Sequence, residues 1–443
     1  MRIALVSEHA SPLAALGGVD AGGQNVHVAA LACALAELGH TVTVYTRRDD
    51  TALPDRVRAA PGVEVVHLRA GPPVAVPKDD LLPYLPELAA GLAADWAETP
   101  PDLVHAHFWM SGLVCLAAVE TLGAAGHDRI PVVQTFHALG TVKRRYQGRD
   151  DTSPRERRTL EPWVGQSVDA IIATCTDEVT ELTAMGVDPS TVSVVPCGVD
   201  LSLFRSDGPR EPVPENRTRI AVVGRLVPRK GVDLVIAALA LLRDAGRDDV
   251  DLVIVGGGRS QDDMHKDPDG ARLLGIAAAH GVSSQVILRG QIPQAELPAI
   301  LRSVAVVVCA PWYEPFGITP LEAMACAVPV VAARVGGLSD SVVDGVTGIH
   351  VPPQDAPAIA RAVCRLLDDP ERAATLGRSG RARVSDGYSW DRIAAATVAV
   401  YRRVLTDPVP RVAPATAADT PSRRAAAFAA PPVTVVSRRG HRP

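Results

Sequence analysis

The sequence predicts an α/β protein built as two doubly wound parallel sheets, each covered by helices on both faces. Three observations predict it. Strand-like apolar runs alternate with amphipathic helical stretches from residue 2 to residue 405, as in sheets wrapped by crossover helices. The chain has 443 residues, too many for one ordinary core. A polar, proline-rich break, FRSDGPREPVPENR at 204–217, then divides the alternation in two and reads as an interdomain linker.

In the first half, 1–203, the strand-like runs are 2–7, 41–47, 63–69, 103–107, 131–137, 170–175 and 192–199. Runs such as TVTVYTR and VEVVHLR have the length and β-branched content of buried strands. A helix is expected from Gly23 to Leu38. The second half, 218–387, repeats the pattern with runs at 219–225, 251–258, 285–290, 304–310, 328–335 and 347–352. Its helices include Gly231 to Ala245 and Ala356 to Leu367. The segment 388–408 carries a last helix, YSWDRIAAATVAVYRRVL (388–405), expected to pack back across the domains. Residues 409–443 are rich in Ala, Pro and Arg without a period; six Arg against one Asp gives a local charge of +5. That composition reads as a disordered tail, with a weak polyanion contact as the lesser alternative.

Composition excludes several function classes. A net charge of −5 gives no case for nucleic acid or an anionic membrane surface. No apolar stretch reaches the ~20 residues needed for a membrane span. The opening apolar run ends at Glu8 and His9, too short for a signal peptide, so the chain is expected to be cytoplasmic. The seven cysteines are scattered, with no CxxC pair, and several lie in apolar runs and read as small core residues in a reducing compartment. The expected partners are small-molecule substrates, and nothing specifies an oligomeric state.

The chemistry centres on EPFGITPLE, Glu314 to Glu322. It follows an apolar strand and leads into a helix, with Thr319, Pro320 and Glu322 at the spacing of N-cap, N1 and N3. Glu314 then lies on the loop at the strand's carboxyl end and Glu322 in the first helical turn. A capping box with Thr319, worth ~1 kcal/mol, would by itself account for Glu322. Between the two carboxylates, the backbone amides of Phe316, Gly317 and Ile318 offer an anion site suited to a phosphate bearing a hydroxyl-rich group.

Other motifs lie at corresponding places. GGVDAGGQNVHV (17–28) joins the first strand to a helix, and its glycines let backbone approach a ligand; the spacing departs from a dinucleotide fingerprint. GRLVPRKG (224–231) sets Arg225 and Lys230 five residues apart on a strand-to-helix loop, a fork and a point charge suited to a diphosphate. QTFHALG places His137 at a strand's carboxyl end. Asp-x-Asp occurs at 249/251 and 267/269 without supporting ligands, so no metal site and no cofactor are expected. No nucleophile set of the Ser-His-Asp or Cys-His kind is present.

Taken together, EPFGITPLE, GRLVPRKG, the AGGQN loop and FHALG resemble the retaining glycosyltransferases of family 4, which have the GT-B fold of two Rossmann-like domains facing a central cleft. The resemblance covers residues 1 to about 405 and is nearest to the sucrose-synthase, sucrose-phosphate-synthase and inositol-3-phosphate glycosyltransferase subgroup. It implies a hexosyl transfer from a nucleotide-diphosphate sugar, a UDP-sugar first, to a small hydroxyl acceptor such as a sugar, sugar phosphate or cyclitol. By that resemblance Arg225 and Lys230 hold the diphosphate, Glu322 the ribose, and Glu314 with the amides of Phe316, Gly317 and Ile318 the donor sugar. His137 contacts the sugar from the first domain, and Arg225, Lys230, Glu314 and His137 form the catalytic set. Gly22 and Gly23 approach the phosphates, while backbone at Gly290, Gln291 and Ile292 meets the base. Asn25 and Lys78 match acceptor positions. The chain departs from the inositol-phosphate enzymes at Phe108, where they carry Tyr, and at Ala138, where they carry Thr.

The resemblance also implies a metal-independent, front-face mechanism, with the leaving phosphate taking the acceptor proton. Two other readings compete: an epimerase on the same fold, whose motifs match less well, and a non-catalytic nucleotide-sugar sensor. The full charge set at 225, 230, 314 and 322 argues against the sensor.

Overall fold

The computed structural model describes residues 1–13, 22–258, 263 and 266–407. Gly17 and Gly18 of the glycine-rich loop and the 409–443 tail lie outside the described residues.

Among the described residues the chain forms an eight-stranded and a six-stranded sheet. The first consists of β1 (Arg2–Val6), β2 (Thr41–Arg47), β3 (Arg56–Ala60), β4 (Val63–Leu68), β5 (Leu103–His107), β6 (Val132–Thr135), β7 (Ala170–Ala173) and β8 (Val192–Val194), in the order β3-β4-β2-β1-β5-β6-β7-β8. All neighbours are parallel except β3 and β4. The second holds β9 (Thr218–Val223), β10 (Val250–Val255), β11 (Val286–Gly290), β12 (Val306–Cys309), β13 (Val330–Ala333) and β14 (Gly348–Val351), in the order β11-β10-β9-β12-β13-β14, parallel throughout.

Every expected strand forms. The one strand the sequence does not announce is β3, RVRAA, antiparallel at the sheet's edge and largely exposed. An edge strand needs no apolar run, and its arginines keep the free edge soluble. Central strands such as β5 and β10 are buried along their whole length, as parallel strands covered on two faces must be.

Each sheet packs an apolar cluster on either face. The last helix, Trp390–Thr406, leaves the second half and joins the first: Ile393, Ala394, Val398, Tyr401 and Val404 share a cluster with Ile3, Leu5, Leu31 and Leu35. The 204–217 segment is strapped to the second half. Arg302 donates to the carbonyls of Arg205 (3.0 Å) and Pro209 (2.8 Å), Arg381 to that of Phe204 (2.9 Å), and Arg289 pairs with Glu211 (2.7 Å). No helix of the described residues is long and apolar enough to cross a membrane.

Candidate active site

The loops after β1, β6 and β7 meet the loop after β12, and the candidate side chains gather there. Glu314 stands on the loop after β12. Gly336, at φ +45°, packs against it: a Cβ there would lie 2.3 Å from the Glu314 carbonyl, so only glycine fits. The amide of Gly337 donates to the same carbonyl at 2.8 Å. Lys230 ends the 3-10 turn Pro228–Lys230 after β9 and ion-pairs with the Glu314 carboxylate. Burial alone would raise the Glu314 carboxyl. Lys230 and Arg229 beside it, with a bond from the Phe316 amide, outweigh burial and hold it below the ordinary carboxylate value. Arg225, on the same loop as Lys230, is exposed.

Glu322 differs from expectation in one respect. The helix Ile318–Ala325 begins one residue after Gly317, which takes the left-handed conformation at φ +68° and serves as N-cap. Thr319 therefore lies inside the helix, its hydroxyl 3.5 Å from the Val223 carbonyl, and no capping box forms. Glu322 falls beyond the first turn. It is 8% exposed, and burial pushes its carboxyl up to about 8 against a bond from Gln294. Freed of a capping role, it lines a cavity of about 600 Å³ with Gln294, Ile318, Asn25, Gly198 and Trp390.

The first half contributes a buried histidine group. His137 has φ +63° and is 2% exposed; its Nε2 lies 2.8 Å from His107 Nδ1, the rings stacked 5.0 Å apart. His27 lies edge-on to His137 at 5.1 Å, and His105 bonds Tyr401 Oη at 2.7 Å. Burial lowers all four imidazoles, His27 to about 4 and His105 to about 3, so each is neutral at neutral pH. His137 Nδ1 is buried with no protein partner, a polar atom suited to a ligand hydroxyl. Across the cleft Phe316 packs 5.2 Å from the His137 ring and against Gly23, where a Cβ would lie 3.4 Å away.

Of the remaining candidates, Asn25 shares the Glu322 cavity and Lys78 does not line it. Gly22 is the N-cap of the helix Gly23–Glu37, and Asn25 caps it: Oδ1 accepts from the Gly22 amide at 3.0 Å while Nδ2 donates to the Ser11 carbonyl at 2.9 Å. Gly290 accepts from the Gly256 amide, and Gln291 donates to the Gly258 carbonyl, both at 2.8 Å. Ile292 packs on the second domain's core. Lys78 lies 4.0 Å from Asp79 in a polar group where Lys143 meets Asp79 and Asp151. Beside that group, Arg157 is buried against Glu161, donates to the Ala138 carbonyl at 2.6 Å, and stacks 4.9 Å over Phe108. Among the described residues no cluster of His, Cys, Asp and Glu has a metal-holding arrangement.

Sequence reading missed His27, Gln294 and the Phe316 ring. His27 sits in a helical apolar stretch, and Phe316 reads as a core residue until the opposite lobe is in place.

Residues 21–203 match the model for Glycosyltransferase Family 4 and residues 205–383 that for Glycosyl transferases group 1. The chain is 36% identical over 418 residues to D-inositol 3-phosphate glycosyltransferase 2 of Catenulispora acidiphila, covering 92% of this chain and 96% of that protein. It is 37% identical over 430 residues to the D-inositol 3-phosphate glycosyltransferase of Kineococcus radiotolerans, with the same coverages, 92% and 96%. Sucrose-phosphate synthase from Thermosynechococcus elongatus superposes with a TM-score of 0.80 at 32% identity, covering 91% of this chain and 98% of that one. With this site at the junction of two parallel-sheet domains, the chain belongs to the GT-B glycosyltransferases of family 4 and is a hexosyltransferase.

Proposed function

We propose that the protein moves a hexosyl group, with retention, from a nucleotide-diphosphate sugar, a UDP-sugar first, to a small hydroxyl acceptor. The observation carrying this is the convergence at one junction of the Lys230–Glu314 pair, the buried neutral Glu322 and the unpartnered His137 Nδ1. Cations for a diphosphate, a carboxyl for ribose hydroxyls, and a neutral imidazole for a sugar hydroxyl are what such a donor requires. Breaking the anomeric bond puts negative charge on the departing diphosphate and positive charge on the ring. Lys230 and Arg225, with the amides opening the helix at Ile318, would stabilise the first without a metal. The neutral histidines beneath the sugar add no charge to oppose the second. The leaving phosphate, rather than a protein carboxylate, takes the acceptor proton.

For the acceptor, the names of the relatives favour a polyhydroxy phosphate. Phe108 and Ala138 supply no hydroxyl where those relatives' pocket has two, a loss of about 1–3 kcal/mol each for a buried phosphate. Inositol 3-phosphate is therefore not expected to be the best acceptor. The test is a thermal-shift screen of UDP, GDP, ADP and their sugars. At ~100 times its dissociation constant the right nucleotide stabilises by ~2.7 kcal/mol. No shift with any of them would sink the donor reading. Donor consumption with fructose 6-phosphate, fructose, simple polyols and inositol 3-phosphate then ranks acceptors; a win for inositol 3-phosphate sinks the acceptor inference.

A further inference from the structure

Thr174 follows β7 at the cleft end of the first sheet, and its side chain meets the other lobe. Its Oγ1 lies 2.8 Å from Glu178 Oε2 and 3.2 Å from the carbonyl of Pro315, the residue between Glu314 and Phe316. Its amide donates to the same Glu178 Oε2 at 2.7 Å, while Glu178 Oε1 is buried without a partner. One hydroxyl proton thus faces two acceptors. It cannot serve both.

We propose that Thr174 and Glu178 are positioning residues for the donor-sugar loop, the Glu178 carboxyl deciding whether the Thr174 proton reaches Pro315. This rests on the donor-sugar role proposed above for the Glu314–Phe316 loop. With Glu178 ionised, its carboxylate accepts from both the amide and the hydroxyl of Thr174, and the Pro315 carbonyl loses that donor. With one proton taken from solvent onto Oε2, the carboxyl donates to Thr174 Oγ1 and its remaining lone pair still accepts the amide. The hydroxyl then turns to Pro315 and fixes the loop against the first lobe.

The surroundings bring the titration of this carboxyl close to neutral pH. Burial pushes Glu178 up to about 7 against the two Thr174 bonds, with Glu161 and Asp177 raising it further. The other titratable groups around it, Cys175, Cys197 and Tyr313, are neutral, their values raised by burial. Two neighbouring contacts bring the lobes to the same place. Asp340 accepts from the amide and hydroxyl of Thr176, both at 2.6 Å, and Tyr146 stacks on Tyr313 at 5.9 Å.

Calorimetric titration of UDP-glucose from pH 6 to pH 8, with UDP as a check on site occupancy, tests this. One neutral hydrogen bond corresponds to about three- to tenfold in affinity. Glu178→Gln cannot ionise, so its affinity is expected to stay level from pH 6 to pH 8 while that of wild type falls, the variant-to-wild-type ratio rising about three- to tenfold over that range. Thr174→Val is expected to bind weaker by the same factor at pH 6 and to match at pH 8, while Thr174→Ser restores the wild-type profile. Variant-to-wild-type ratios cancel ionisation of the ligand and of Glu322, and melting temperatures check folding. Ratios that do not change with pH overturn the inference alone, leaving the donor site standing. Failure of both ligands to bind wild type overturns the donor-site reading and this inference with it.

Discussion

Lys230 pairs with Glu314 and helps keep that buried carboxyl ionised, so changing either acts on stability and chemistry at once. Lys230→Ala is expected to lower donor turnover at least about a hundredfold, by removing a cation from the developing diphosphate charge. It also strands a buried carboxylate and lowers the melting temperature. The double variant with Glu314→Ala is expected to regain melting temperature but not turnover, which separates the two effects; turnover retained in Lys230→Ala would count against the assignment. Glu322 behaves in the opposite sense. Its carboxyl holds a proton up to about 8 when folded, against 4.5 ordinarily, so the fold loses stability as pH rises between those values. Glu322→Gln is expected to raise the melting temperature at pH 8, to leave it unchanged at pH 4, and to weaken UDP about tenfold at pH 8.5, where the carboxylate would accept ribose hydroxyls. Equal melting temperatures at both pH values would show that burial does not hold this proton.

Among the elements, the helix Ile318–Ala325 shows how a local pattern can be outbid. Thr-Pro-x-Glu is a sound capping sequence, yet the N-cap is Gly317, two residues earlier and in the left-handed conformation. Thr319→Ala should therefore cost less than about 0.5 kcal/mol in urea unfolding, as for a site without a special role. Gly317→Ala should cost about 1–3 kcal/mol, since it imposes a left-handed conformation on a side chain and places a Cβ 3.1 Å from Ser341 Oγ. The reverse order of costs would restore the capping box. Strands were legible for a different reason. Runs such as VVVC at 306–309 are buried on both faces, so every residue is apolar and the signal does not depend on register. β3 was not legible, because an exposed edge imposes no such requirement.

For the molecule as a whole, the two lobes meet through the Phe316 ring, Thr176–Asp340 and Thr174–Pro315, contacts between residues more than a hundred positions apart. A mechanism resting on Lys230, Arg225 and helix amides is expected to run at an unchanged rate after EDTA treatment and gel filtration. A loss of activity restored by Mg²⁺ or Mn²⁺ would overturn metal independence. Arg225, Lys230 and Glu314 on their loops, and Glu322 in the helix that follows, could be picked out as candidates because their residue types and spacing suggest the chemistry. The imidazole set was hidden. His27 lies in the glycine-rich motif and His107 beside Phe108, segments singled out for other residues, and only packing puts both rings beside His137.

By itself the sequence determined the alternation of strands and helices, the two sheets, and the loops bearing the cations and carboxylates, since these follow from periodicity and local chemistry. Tertiary structure decided which charges meet, that Glu322 keeps its proton, that Asn25 caps a helix, and how Thr174 reaches Pro315. Those outcomes depend on desolvation and on distances across the cleft, and neither is encoded in the spacing of residues along one chain.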